Sequence, residues 1–135
     1  AGFRFIQFFD VSEEDAACVD AYLKSLQAVP SPYLVNGELS AKAREGKKVF
    51  EKLKCGDCHS GTYYTDRKMH RIGEDVEFEK GWDTPTLREV WRTAPYLFDG
   101  RAATMQEVFS IHRHGIDRKV SRKEIEALTE FVNSL

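Results

Sequence analysis

No apolar run in the chain approaches the 18 or so residues of a membrane span, so no spanning helix is expected. Neither charge is in large excess. The net charge is -2 and the sequence pI about 6.1, which removes the bulk electrostatic reason to expect nucleic acid. Cysteine is scarce, with three in 135 residues. Only Cys55 and Cys58 lie close together, and a structural zinc site, which takes four Cys or His ligands, finds no second cysteine pair. Signal-peptide features are missing, and a chain starting at Ala1-Gly2 without Met reads as a mature or trimmed product.

What is present suits one domain of ordinary size with a short appendage. Hydrophobic residues make up 41% of the chain, enough for a packed core. Near its middle stands Cys55-Gly56-Asp57-Cys58-His59-Ser60. Cys-x-x-Cys-His is the attachment signature of c-type haem. Two thiols one helical turn apart can add across the two vinyl groups of one porphyrin, and the histidine that follows is carried under the ring to ligate the iron. A thioredoxin-like Cys-x-x-Cys would follow a strand in a βαβ pattern. Here an amphipathic helical pattern precedes, an irregular polar stretch follows, and the C-terminus is helical. The expected cofactor is therefore one haem c, covalent through Cys55 and Cys58, with His59 on the iron. Cys18, in Ala16-Ala17-Cys18-Val19, is expected to be a small buried hydrophobe.

Along the chain, Ser12 with Asp15 reads as a capping box starting a helix to about Gln27, with Ala16, Val19, Tyr22, Leu23 and Leu26 on a buried stripe. Pro30-Ser31-Pro32 ends it and opens a linker through Asn36-Gly37. A second helix runs from near Ser40 to just before Cys55, with Ala43, Gly46, Val49, Phe50 and Leu53 inside. A helical glycine costs about 1 kcal/mol against alanine, and close approach of another helix at Gly46 would compensate. Gly61 to Asp83 reads as a long polar loop suited to wrapping a haem edge, and its acidic run Glu74, Asp75, Glu77 and Glu79 as a solvated face. Thr84-Pro85 predicts a short helix over Thr86 to Arg92, Ala94-Pro95 breaks it, and Asp99-Gly100 makes a turn. Thr104 caps a helix through about His114, closed by Gly115. Ser121 with Glu124 caps a terminal helix that buries Ile125, Leu128, Phe131, Val132 and Leu135.

The expected fold is all-α: a cytochrome c-like monohaem domain over 40–135, preceded by an extra N-terminal helix and linker over 1–39. Val11-Ser12 to Ser25-Leu26 aligns without gaps over sixteen residues with Val120-Ser121 to Ser134-Leu135, setting Tyr22 and Leu23 opposite Phe131 and Val132. The second copy closes the domain, so the first is expected to be the closing helix of an earlier one.

Several stretches carry a family likeness: Pro30-Ser31-Pro32-Tyr33, Asn36-Gly37-Glu38-Leu39-Ser40, Gly46 to Phe50, Cys55 to Gly61, Tyr64-Thr65-Asp66 and His70-Arg71-Ile72-Gly73. The most specific runs are Thr84-Pro85-Thr86-Leu87-Arg88-Glu89-Val90, Thr93-Ala94-Pro95-Tyr96, and Asp99-Gly100 with Ala103-Thr104. In these the chain resembles the second, C-terminal haem domain of the bacterial di-haem cytochrome c peroxidases and their MauG-type relatives. It departs in having one haem motif, in Phe98 where the family usually has His, and at the sixth-ligand position. Eight residues beyond Thr104, where the resemblance implies Met, stands His112. His112 is the favoured second axial ligand; His70, His114, Met69 and Met105 are the other candidates. His114, beside Gly115, is expected to be solvated or capping, because residues two apart cannot share a helix face. Met105 is expected in the core. Arg88 and Arg101 are expected to fork the haem propionates, and Trp82 and Trp91 to be core or to line the haem.

The leading expectation is an electron-transfer domain with bis-His haem of lower potential than a Met-ligated one. The alternatives are the electron-feeding domain of a di-haem peroxidase or MauG-type oxidase, and a haem-based sensor. Its partner would be a redox protein or an upstream domain of the same parent chain. Covalent haem attachment implies a periplasmic or other extracytoplasmic residence.

Overall fold

Ser40 and Ser121 start the two helices on which the domain is built. The computed structural model describes residues 5–72 and 81–135. Its helices are α1 (Glu13–Ser25), α2 (Ala41–Lys52), α3 (Met105–Ser110) and α4 (Arg122–Asn133). Two antiparallel two-residue ladders, β1 (Leu34–Val35) with β2 (Glu38–Leu39) and β3 (Met69–His70) with β4 (Trp82–Asp83), and two 3-10 turns, Cys55–Asp57 and Val90–Arg92, fill the connections. The fold is all-α. Ser40 Oγ accepts the Ala43 N–H at 2.9 Å, and Ser121 and Glu124 form a reciprocal capping box, so both helix starts are satisfied locally.

The α2–α4 crossing is the centre of the core. A Cβ placed on Gly46 would lie 1.9 Å from the Ala127 carbonyl oxygen and 2.8 Å from Phe131 Cβ. Only glycine permits that approach, which explains its presence in a helix that it otherwise weakens. Phe50 then meets Phe131 edge-on at 5.4 Å between ring centroids, and Tyr64 joins the pair at 6.2 and 6.5 Å. Met105, Val108 and Phe109 of α3 bury themselves in the same cluster with Leu87, Val90 and Ile116. At the rim Lys52 pairs with Glu124 at 2.7 Å.

The linker is tied to this domain. Asn36 and Gly37 both take positive φ, 52° and 80°, the geometry of a two-residue hairpin turn. The Ser31 hydroxyl donates to the Asn133 carbonyl, and the Val29 N–H donates to the Glu89 carboxylate at 2.6 Å.

Three expectations are corrected. First, α1 forms as expected, with Ser12 Oγ accepting the Asp15 N–H at 3.0 Å, but none of its residues is buried. Val19, Tyr22 and Leu23 are 38%, 64% and 56% exposed, against 0%, 2% and 2% for their counterparts Leu128, Phe131 and Val132. Second, Cys18 is exposed rather than buried, since no other described element covers that face of α1. Third, Thr86 to Arg92 is not a helix. The Thr84 and Thr86 hydroxyls donate to the Lys68 and Tyr63 carbonyls, and Glu89 adopts a left-handed φ of 57°, so only the Val90–Arg92 turn forms. Gly73, Glu74, Asp75, Glu77 and Glu79 lie outside the described residues.

Candidate haem site

Lys54, in the left-handed conformation, ends α2 and throws the chain into the Cys55–Asp57 turn. The His59 N–H then bonds back to the Cys55 carbonyl at 2.9 Å, so both thiols and the imidazole hang from one short coil. His59 Nδ1 lies 3.1 Å from the Tyr64 carbonyl oxygen. A carbonyl can only accept, so the ring proton sits on Nδ1 and Nε2 keeps its lone pair for a metal. Burial lowers the pKa of His59, a loss offset in part by the Tyr64 and Pro85 carbonyls, and so favours the neutral, ligating form. Burial also pushes the Cys55 thiol up to about 11, and Cys58 upward as well.

The ring facing His59 is that of His114. Their centroids are 6.3 Å apart with planes inclined at 51°. Two metal–nitrogen bonds of about 2.0 Å each, with half an imidazole at either end, span roughly that distance. The arrangement thus fits an iron ligated from both sides. Burial and the nearby His59 lower the pKa of His114 too, which favours the neutral form of the ring.

The geometry behind this differs from the sequence expectation because α3 is short. It ends at Ser110, not near His114. The His112 N–H still reaches Glu107 O at 3.1 Å, but Arg113 then turns left-handed (φ 47°) and the His114 N–H closes on Val108 O at 3.0 Å. The Arg113 guanidinium donates to the Ile116 and Arg118 carbonyls at 3.3 and 2.9 Å, holding this turn from outside. Helix-face counting therefore does not apply beyond Ser110. Among the described residues, the ring contact recorded for His59 is with His114, not His112. No stop signal lies between Ser110 and His114; Gly115 comes too late to reveal it.

Of the remaining candidates, Met105 is buried in the core as expected, and Met69 is half exposed. His70 is engaged elsewhere, with Nε2 2.7 Å from Asp66 Oδ2. Burial would raise Asp66, but hydrogen bonds from His70, the Lys68 N–H and Thr84 outweigh it and bring the carboxyl down to about 2. Arg88 Nε donates to the Thr62 carbonyl at 3.2 Å. Arg101 pairs with Asp99 at 2.7 Å and lies over the Phe98 ring, which itself stacks on Trp82 at 4.1 Å. The Trp91 Nε1–H is buried with no hydrogen-bond partner among the described residues. A cavity of about 320 Å³ beside Gly56 is walled by Phe50, Tyr64 and Phe131 and includes neither imidazole.

No family model matches the chain. It is 24% identical to the cytochrome c peroxidase Ccp of Escherichia coli over 72% of this chain and 26% of the relative. It is 24% identical to the cytochrome c551 peroxidase of Nitrosomonas europaea over 67% and 33%, and 26% identical to the methylamine utilization protein MauG of Methylorubrum extorquens over 62% and 28%. The chain thus spans about a quarter to a third of the length of these relatives. Among solved structures, a hydrazine synthase chain of Kuenenia stuttgartiensis superposes with a TM-score of 0.74 at 20% identity, over 99% of this chain and 59% of that one. The chain is a cytochrome c-like all-α domain, similar in sequence to the di-haem cytochrome c peroxidase-like proteins.

Proposed function

We propose that this chain is a monohaem electron-transfer domain, with haem c bound covalently through Cys55 and Cys58 and ligated by His59 and His114. The 6.3 Å opposition of the two imidazoles carries the reading. His114 replaces His112 as the sixth ligand.

Bound haem supplies a reversible one-electron couple at the iron. The chain's own residues set its surroundings. Tyr64 O holds the His59 proton on Nδ1, the turn closed on Val108 O presents His114, and burial favours the neutral form of both rings. Two imidazoles favour the ferric state more than a His/Met pair does, so the potential is lower than for Met ligation. Arg88 is the stronger candidate for a propionate, because the charge of Arg101 is already matched by Asp99. Covalent attachment through both thiols implies an extracytoplasmic location, with a redox protein or a further domain of the same parent chain as partner. Among the described residues, no helix is long and apolar enough to cross a membrane.

The similarity to cytochrome c peroxidases and MauG supports a second reading, in which the domain feeds electrons to an enzyme of that kind. Absorption and resonance Raman spectra of the haem-loaded chain test the first. Six-coordinate spectra in both oxidation states, without a carbon monoxide adduct or peroxide turnover, are the expected outcome. A five-coordinate ferrous form would move the function to sensing or catalysis.

A further inference from the structure

We propose that Arg113 and Arg118 are positioning residues for the sixth ligand: acting in series, their side chains clamp the His114 turn to the C-terminal end of α2 and so set how readily His114 leaves the iron. The inference rests on the reading of His114 as that ligand.

The turn has little else to hold it. Beyond Ser110, where α3 ends, the N–H groups of Ile111, His112, His114 and Ile116 bond to the Glu107, Val108 and Arg113 carbonyls. Among the described residues, no other N–H of 111–119 has a backbone partner. Of these nine residues Ile116 alone is buried in the core. Arg113, directly before Ile116's turn and one residue from His114, stands at a φ of 47°. A side chain-bearing residue keeps that left-handed conformation only when its surroundings fix it. The fixing group is its own guanidinium, which reaches forward to the Ile116 carbonyl at 3.3 Å and the Arg118 carbonyl at 2.9 Å.

Arg118 is the second link. Its guanidinium donates to the Lys52 carbonyl. Lys52 ends α2, so this oxygen is one of the last carbonyls of the helix, which find no partner within it, and a cation there also meets the negative end of the helix dipole. Among the hydrogen bonds of the described residues, this one alone joins 111–119 to α2. Three residues past Lys52 comes Cys55, where the coil that carries His59 begins. The two arginines thus tie the support of one imidazole to the support of the other. Both act on carbonyls, so the clamp is a chain of hydrogen bonds and not an ion pair.

Cyanide is the probe. In excess over the ferric haem-loaded chain it replaces His114, at a rate that levels off at the rate at which the ligand leaves. Arg118→Ala should raise that limiting rate about tenfold, the size of one lost hydrogen bond from a charged donor. Arg118→Lys, which keeps a donor for the Lys52 carbonyl, should restore most of the difference. Arg113→Asn accepts the left-handed backbone but cannot reach Arg118, and it should match Arg118→Ala. Amide hydrogen exchange reads the turn apart from the haem spectrum: in Arg118→Ala, protection should fall at His112 and His114 and persist in α2 and α4. A limiting rate unchanged in both Arg118→Ala and Arg113→Asn overturns the proposal. So does a urea midpoint that drops in step with the rate, which would make the arginines part of the general scaffold. Raised salt should leave the parent's rate where it is; a rise equal to that of Arg118→Ala would make charge the cause and also overturn it. If exchange quickens while His114→Ala keeps its low-spin spectrum, the turn is clamped but the ligand reading fails, and the proposal with it.

Discussion

The two imidazoles of the candidate site reach the same space from unlike supports. His59 follows directly from α2, within five residues of Cys55, and its geometry is set by a coil whose hydrogen bonds are local. His114 hangs from irregular chain beyond a six-residue helix, positioned by Val108, Arg113 and the packing of α3 on α4. A contiguous motif can specify one face of a haem by itself. The opposite face is specified only once the whole domain has folded.

Three measurements sharpen that contrast, beginning with the largest effect. Gly46→Ala forces a methyl into the Ala127 carbonyl and should destabilise the domain by about 3 kcal/mol, the upper end of ordinary overpacking. Urea denaturation reads this loss, and because it strikes the α2–α4 scaffold it should loosen both faces together. Removing a helix cap separates them. Thr104→Ala and Ser121→Ala should each cost about 1 kcal/mol, yet only Thr104→Ala, at the start of the helix leading to His114, should lower the temperature at which the six-coordinate spectrum is lost ahead of global unfolding. Equal spectral and global midpoints in both variants would break the comparison.

The third and smallest effect is on pH. Hydrogen bonding from Lys52, then from Ser121, holds Glu124 at about 2 against an ordinary 4.5. A depressed carboxyl adds stability that is full above pH 4.5 and lost as pH falls toward 2. Glu124→Gln should therefore melt lower than the parent at pH 7, with the difference shrinking through that window and gone near pH 2. The haem spectrum should stay unchanged throughout, since this carboxylate serves the scaffold alone.

Much of the scaffold was legible in sequence because its signals are local. The Ser40 and Ser121 caps, the inner face Ala43-Gly46-Val49-Phe50, and the close approach at Gly46 follow from helical period and from the cost of a helical glycine. Burial of α1 was misjudged for the opposite reason. Periodicity announces an apolar stripe and says nothing of what covers it. His114 ranked behind His112 in the sequence because the end of α3 is set by a left-handed Arg113 and a carbonyl at Val108, a tertiary arrangement with no sequence signature. The Thr86–Arg92 segment misled likewise, its hydroxyls being taken by carbonyls some twenty residues earlier in the chain.

The central claim is that His114 opposes His59. Reduced and oxidised spectra of haem-loaded His114→Ala and His112→Ala test it directly. The account predicts that His114→Ala loses the six-coordinate low-spin spectrum while His112→Ala keeps it. A His114→Ala protein that remains low-spin in both states, beside a His112→Ala protein that does not, would contradict it.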